Sequence, residues 1–71
     1  MPSAEIITIG TELLLGETVD TNTRYIARTL RDVGVDLYRT STIGDNPERI
    51  AAIISEGLQR AEIIITTGFK H

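Results

Sequence analysis

The fold is decided by residues 4–22, AEIITIGTELLLGETVDTN, in which a short apolar run ends at Gly10 and a polar loop follows. The isoleucines of this run lie close together and do not alternate strictly with polar residues, which is typical of a strand covered on both faces. A helical pattern begins only after the polar triplet at residues 20–22. We therefore predict a buried strand over residues 4–9 whose carboxyl end opens into a loop, the place where α/β proteins bind ligands.

Beyond this stretch, the hydrophobic pattern alternates between helix and strand. Apolar residues three and four apart predict a helix over residues 23–33, with Asn22 as its N-cap. Residues 35–41 mix polar and apolar side chains, which suits a strand at the edge of a sheet. Pro47 begins a second helix with a clear apolar stripe, and residues 62–67 form a near-continuous apolar strand.

The order of these elements defines the topology. A helix in each connection makes the strands parallel and the crossovers right-handed. With the second strand at an edge, the spatial order is 2-1-3, and the direction of winding reverses between the first and third strands. We predict one α/β domain over residues 1–71, with a parallel sheet and a ligand crevice at the carboxyl ends of the strands.

Composition and charge exclude several classes of function. Seven Lys and Arg residues against ten Asp and Glu give a net charge of −3, and the arginines are scattered instead of forming the basic patch of a nucleic-acid surface. The sequence has no cysteine for a disulfide or a cysteine zinc site, and no apolar run approaches the length of a membrane span. We expect a cytoplasmic protein that binds neither nucleic acid nor membranes.

The loop after the first strand lacks the familiar nucleotide fingerprints. Residues 10–16, GTELLLG, do not match G-x-G-x-x-G, and about a dozen residues separate the strand from the helix, where a dinucleotide-binding turn would be tight. No G-x-x-x-x-G-K-[ST] segment is present either. The sequence therefore predicts binding by small polar groups at the strand ends.

Small polar residues follow the first and third strands and form most of the predicted ligand-binding set. Gly10 allows a ligand to approach the backbone, and the hydroxyls of Thr11 and Thr67 suit phosphate or hydroxyl groups. Asn22, near the amino end of the first predicted helix, would place partial positive charge beside an anion. Gly68 follows the third strand at the same edge. The residues alone assign no catalytic group.

Three acidic residues near the strand ends complete the predicted site. Glu12, Asp20 and Asp45 carry oxygen ligands that suit Mg²⁺ or a similar hard cation. We assign Glu12 and Asp20 to ligand binding, and Asp20 and Asp45 to the metal. Each has a structural alternative: Asp20 and Asn22 as caps of the first helix, Asp45 as the residue before the cap of the second, and Glu12 as a solvated loop residue.

Three blocks of the sequence resemble a known family: residues 4–16, AEIITIGTELLLG, residues 20–22, DTN, and residues 43–46, IGDN. Their residue types and spacing resemble the amino-terminal domain of the CinA (competence/damage-inducible protein A) family. That domain belongs to the wider MoaB/MogA/MoeA molybdopterin-binding superfamily. The resemblance covers most of the chain and implies a three-layer α/β domain with a mainly parallel sheet.

The resemblance also implies a function. Family members bind a phosphorylated pterin or nucleotide-like ligand in this crevice. CinA-type domains are associated with metal-dependent ADP-ribose pyrophosphatase activity, a hydrolase reaction that yields AMP and ribose 5-phosphate. The resemblance therefore implies a divalent metal (Mg, Mn or Co) as cofactor, and ADP-ribose or a pterin-like molecule as ligand.

The sequence departs from the family pattern at its end. In the family, the third strand ends in Thr-Gly-Gly, followed by Leu-Gly-Pro-Thr and a pair of aspartates, whereas here Thr67-Gly68 is followed by Phe69-Lys70-His71. We expect a truncated, amino-terminal part of the domain whose third strand is an exposed apolar edge, so that the chain self-associates or binds a completing chain. Three functions stay open: a binding fragment, a metal-dependent enzyme that needs a partner chain, and a non-catalytic product or interaction fragment.

Overall fold

A computed structural model describes residues 1–68, which form a three-stranded sheet and three helices. In chain order the elements are β1 (Ser3–Ile9), α1 (Thr11–Leu14), α2 (Thr21–Asp32), β2 (Asp36–Ile43), α3 (Pro47–Leu58) and β3 (Ile63–Thr67). None of the helices within residues 1–68 is long and apolar enough to cross a membrane. The predicted departure from the family pattern at residues 69–71 lies outside the described residues.

The sheet has the order β2-β1-β3, and β1 pairs in parallel with both neighbours. The predicted topology is therefore confirmed. Successive β1 side chains point to opposite faces: the Thr8 hydroxyl contacts Thr23 of α2, whereas a Cβ added at Gly57 of α3 would lie 3.6 Å from Glu5 Oε1. The two long helices thus cover opposite faces of the sheet and produce three layers.

Burial explains why β1 is the central strand. Its residues from Ala4 to Ile9 are all buried, as the clustered isoleucines predict for a strand covered on both faces. The core on the α3 side contains Ile7, Ile9 and Ile50, against which further isoleucines pack: Ile43, Ile53, Ile54 and Ile64. By contrast, the residues of β3 are half-buried, and among the described strands β3 pairs only with β1.

Two of the predicted element boundaries are wrong by two residues, the others by one at most, and both larger errors have a physical cause. The N-cap of α2 is Asp20, not Asn22, because the Asp20 carboxylate accepts a hydrogen bond from the Thr23 amide and the helix begins at Thr21. Strand β2 extends beyond the predicted residue 41, because its ladder with β1 continues to Ile43, which reaches the core. The predicted start of α3 is confirmed: Asn46 is its N-cap and Pro47 its first residue.

The loop after β1 contains one helical turn, α1, that the sequence pattern did not predict. Its backbone hydrogen bonds run from the amides of Leu14 and Leu15 to the carbonyls of Gly10 and Thr11. One turn of four residues is too short to show a helical period, so the loop had no signal that distinguished it from irregular structure. The turn lies at the carboxyl end of β1, where the ligand crevice was predicted.

The ladder between β1 and β2 contains one irregularity. Ala4 pairs with Leu37, but the next residue, Glu5, pairs with Arg39, so Tyr38 is an extra residue in β2. This is the arrangement of a β-bulge, in which two residues of one strand face one residue of its partner. The remaining pairs continue without interruption to Ile9 and Ile43.

Candidate functional site

The loops after β1 and β2 begin side by side at the carboxyl edge of the sheet. The Gly10 amide donates a 2.9 Å hydrogen bond to the Ile43 carbonyl. Just beyond it, the Thr11 hydroxyl accepts a 3.3 Å hydrogen bond from the Asp45 amide. The fold therefore brings two predicted site residues, Thr11 and Asp45, into contact. The Thr11 hydroxyl has a structural role here, since it connects the two loops.

Gly68 holds the end of β3 against the end of β1. Its φ of +86° is a conformation that favours glycine, and an added Cβ would lie 2.1 Å from the carbonyl oxygen of Ile9. No side chain fits in that space, because the clashing atom belongs to the backbone. Gly68, directly after β3, is thereby brought to the loop after β1.

A cleft of about 270 Å³ opens at this edge, between the loop after β1, the start of α2 and the end of β3. We call it the strand-end cleft; it is lined by Glu12, Leu13, Thr18, Val19, Asp20, Thr21, Asn22 and Gly68. Four of the predicted ligand-binding residues are among them, namely Glu12, Asp20, Asn22 and Gly68. The cleft thus lies at the reversal of winding between β1 and β3, where the topology predicts a ligand.

Asp20 is the most constrained group in the strand-end cleft. One carboxylate oxygen accepts from the Thr23 amide, and the other accepts from the hydroxyls of Thr23 and of the buried Thr8. Burial of Asp20 works against its ionisation, but these hydrogen bonds outweigh it and hold its pKa below the ordinary value of 3.8. Asp20 is therefore a fixed carboxylate that both caps α2 and lines the cleft.

The predicted metal ligands do not form a metal cage in the described part of the chain. Asp20 directs its carboxylate oxygens to threonines, and Asp45 lies in the loop after β2, where its amide is bonded to Thr11. Within residues 1–68, no three His, Cys, Asp or Glu side chains come together in a way that could hold a metal ion. A divalent metal at this edge would need further oxygen ligands, and the assignment of Asp20 and Asp45 to it stays a prediction.

Thr67 lies at the last position of β3, opposite Thr8 in the ladder. Its hydroxyl oxygen is buried and has no hydrogen-bond partner among the described residues. A buried hydroxyl without a partner is costly, so this oxygen is a point where the described structure leaves a hydrogen bond to be made. Its predicted contact with a ligand stays a prediction.

Sequence reasoning missed part of the cleft lining. Leu13 and Val19 give the cleft an apolar part, and Thr18 and Thr21 add hydroxyls. Only their position in the loop between β1 and α2 could have indicated them, because single apolar residues in a loop carry no periodic signal. Thr8 was also missed, although a polar residue in a strand buried on both faces needs a partner.

Comparison with known proteins identifies the family to which this fold belongs. The family described as "Probable molybdopterin binding domain" matches residues 5–68. The chain belongs to this family. The match includes β1 from residue 5 onward, the other two strands and the complete lining of the strand-end cleft, so the cleft is part of a molybdopterin-binding-type domain.

Relatives of this molybdopterin-binding-type domain carry CinA names. A protein named as competence-damage inducible in Alkaliphilus oremlandii is 52% identical over 65 residues, and a CinA-like protein of Kosmotoga olearia is 48% identical over 65 residues. Each alignment covers 92% of this chain and 16% of the relative. The chain therefore spans about one sixth of the length of these relatives.

A solved structure shares the fold. The protein CinA of Thermoplasma acidophilum, a protein of unknown function, superposes with a TM-score of 0.90 at 28% identity. The match covers 94% of this chain and 40% of that one. The α/β fold with strand order 2-1-3 is therefore that of part of a CinA protein.

Proposed function

We propose that this chain forms one wall of a binding site for a phosphorylated pterin or nucleotide in a CinA-type domain. The observation that carries the proposal is the strand-end cleft, which joins Gly68 after β3, the start of α2 and the loop after β1 at the topological switch point of the sheet. Membership of the molybdopterin-binding family supports a pterin-like ligand. The resemblance to CinA-type domains supports ADP-ribose as the alternative.

The chemistry of the lining favours the ring of such a ligand over its phosphate. In the described part of the chain, the lining contains the carboxylates of Glu12 and Asp20 and no basic side chain. Carboxylates accept hydrogen bonds and repel phosphate, whereas the amino and imino groups of a pterin or a base are donors. Leu13 and Val19 offer apolar contact to a ring face. The phosphate would then lie outside the cleft or be bridged by a cation.

We propose binding, and not catalysis, as the function of this chain by itself. Metal-assisted cleavage of a diphosphate needs a positioned metal and a positioned water. Residues 1–68 contain no group of three side chains that could hold the metal. The ADP-ribose pyrophosphatase activity associated with CinA-type domains is therefore proposed for the longer relatives, of which this chain spans about one sixth.

Chemical-shift perturbation tests the binding proposal. Titration of the ¹⁵N-labelled chain with ADP-ribose, AMP or a phosphorylated pterin should move the amide signals of Glu12, Asn22 and Gly68 and leave those of α3 unchanged. Asn22→Ala should weaken binding, because the substitution removes an amide from the lining. Thr29→Ala, which changes an exposed residue of the same helix, is the matched control. Unmoved signals at millimolar ligand would disprove the proposal.

A separate assay tests the restriction to binding. The chain, incubated with ADP-ribose and Mg²⁺, Mn²⁺ or Co²⁺, should release no AMP, because its described residues do not supply a metal cage. Release of AMP that is lost in Asp20→Asn would instead assign the hydrolase activity to this chain. The same substitution should leave the α2 cap in place, since an asparagine also accepts from the Thr23 amide.

A further inference from the structure

A buried glutamate lies at the other end of the sheet from the strand-end cleft. Glu5, on the central strand β1, is 1% exposed. Arg60, which follows α3, binds both of its carboxylate oxygens: Nε donates to Oε2 at 2.6 Å and Nη2 donates to Oε1 at 3.0 Å. This bidentate pair is a strong and directional contact, so it fixes the orientation of the carboxylate.

Two neighbouring residues of β2 reach the same carboxylate. The Tyr38 hydroxyl donates to Glu5 Oε2 at 3.0 Å, and Arg39 Nε lies 3.9 Å from Oε1. We call these four residues, Glu5, Tyr38, Arg39 and Arg60, the Glu5 cluster. Through it, one buried side chain of β1 is connected both to β2 and to the turn between α3 and β3.

The bulge in β2 makes this double contact possible. In a regular strand, consecutive side chains point to opposite faces of the sheet, so Tyr38 and Arg39 could not both face Glu5. Here the pairing changes from Ala4 with Leu37 to Glu5 with Arg39, and Tyr38 is the extra residue. The bulge and the buried carboxylate therefore lie at the same position of the ladder.

The bulge determines the register of β2 up to the carboxyl edge. After it, Ile9 pairs with Ile43, and Ile43 packs against the core on the α3 side. Without the extra residue, Ile9 would face Thr42 instead. Since side chains alternate between faces, a shift of one residue would move Ile43 out of this core and displace the loop in which Asp45 meets Thr11.

We propose that the Glu5 cluster selects this register, so that Glu5 is a positioning residue for the loops of the carboxyl edge. Buried ion pairs are poor sources of net stability, because desolvation offsets much of their attraction, but buried polar groups can specify register. Only the bulged register brings both the Tyr38 hydroxyl, which donates a hydrogen bond, and the Arg39 guanidinium, 3.9 Å away, to the Glu5 carboxylate. In the regular register Glu5 would face Tyr38, and Arg39 would point to the opposite face of the sheet. The buried carboxylate would keep Arg60 but lose the positive charge of Arg39, which is unfavourable for a buried charge.

Amide hydrogen exchange tests the proposal at a distance from the substitution. The Gly10 amide donates to the Ile43 carbonyl only in the bulged register, and its exchange rate reports on that register. In Glu5→Gln and in Arg39→Gln, we expect exchange at Gly10 to rise about tenfold more than exchange at the amides of β3. A general loss of stability would raise both rates equally.

A second measurement and a control variant complete the test. Nuclear Overhauser contacts between Ile9 and Ile43 should weaken in the variants, and contacts between Ile9 and Thr42 should appear.

Glu48→Gln, in the exposed first turn of α3, is the control for loss of a carboxylate and should change neither readout. If Glu5→Gln does not fold, Arg39→Gln, which removes a positive charge from a half-exposed side chain, is the deciding variant. Uniform exchange and retained Ile9–Ile43 contacts in the folded variants would overturn the proposal.

Discussion

The hydroxyl of Thr8 donates a 3.0 Å hydrogen bond to Oδ2 of Asp20, which ties the central strand to the cap of α2. The same carboxylate accepts from the Thr23 amide through its other oxygen. The start of α2, and with it one side of the strand-end cleft, is therefore fixed relative to β1. An N-cap usually acts within its own helix, whereas this one also joins two layers of the domain.

This dual role predicts an unusually large effect of removing the Asp20 side chain. Asn46 caps α3 through the Arg49 amide alone, so Asn46→Ala should cost about 1 kcal/mol of unfolding free energy. Asp20→Ala should cost about 2–4 kcal/mol, because the threonine hydroxyls also lose a charged acceptor. Urea denaturation of the two variants provides the comparison. Equal losses of unfolding free energy in the two variants would show that the contact with Thr8 does not stabilise the fold.

Replacement of Gly68 should disrupt the end of the sheet. In Gly68→Ala, the new Cβ would lie 2.1 Å from the Ile9 carbonyl oxygen, so either β3 or the loop after β1 has to move. Gly34→Ala is the control, since Gly34 has a similar φ of +82° but no atom within 4 Å of an added Cβ. Gly34→Ala should lower the free energy of unfolding only by the cost of placing a side chain on a left-handed backbone, about 1–2 kcal/mol. Gly68→Ala should lower the free energy of unfolding by more than Gly34→Ala does.

Amide spectra separate these two effects. Gly68→Ala should shift the signals of Ile9 and Gly10, whereas Gly34→Ala should shift only those of its own turn between α2 and β2. Identical stabilities and unchanged Ile9 and Gly10 signals would mean that the close contact is not formed in solution.

The hydrogen-bonded carboxylates of Glu5 and Asp20 predict loss of stability in acid. Hydrogen bonding to Arg60 is the main cause of the lowered Glu5 pKa, with Tyr38 adding to it and burial opposing it; the ordinary value is 4.5. The pKa of Asp20 is also lowered. Because these pKa values are lower in the folded state, their contribution is complete above about pH 4.5 and is lost as the pH falls through the folded-state values.

Thermal unfolding followed by circular dichroism from pH 7 to pH 3 measures this dependence. The midpoint temperature should fall with acidification, and Glu5→Gln should flatten the curve because one of the two titrating groups is removed. An acid-induced fall as steep as that of the unchanged chain would show that Glu5 is not one of the groups responsible.

The unpaired edge of β3 predicts self-association. Residues of β3 carry no charge, and among the described strands only β1 pairs with them, so the other edge presents backbone donors and acceptors beside isoleucines. Ile65→Lys places a charge at this edge, a substitution of the type that blocks edge-to-edge pairing. Sedimentation velocity should show a concentration-dependent dimer or larger species for the unchanged chain and a monomer for the variant.

A control separates edge pairing from general changes in charge. Tyr25→Lys adds the same charge on an exposed position of α2, so it should leave the association unchanged. If the unchanged chain is a monomer at high concentration, or if both variants dissociate it equally, pairing through β3 is wrong.

The topology could be predicted from the sequence because it depends on local patterns that are strong here. The clustered isoleucines of β1 and the proline at the start of α3 each specify one element, and the parallel order follows from the connections. The cap of α2 was less certain, because Asp20 and Asn22 are both good capping residues and the choice depends on Thr8, twelve residues away in the sequence.

The candidate site was predictable only in part, for a similar reason. Glu12, Asp20, Asn22 and Gly68 lie in the strand-end cleft because strand ends can be located from the pattern. The role of Thr11 as a connector depends on Asp45, and the role of Glu5 depends on Arg60, which is 55 residues away. Contacts at such separations have no signature in a single sequence.

The extra residue at Tyr38 also bears on how β2 can change in evolution. A bulge is a place where a strand can gain or lose one residue, provided that the partners of the buried carboxylate change with it. We therefore expect gaps of one residue in alignments of CinA-type domains to fall near residue 38, and to be accompanied by replacement of Glu5 or Arg60. Divergence in this family would then proceed by linked steps at both ends of the sequence and not by independent substitutions.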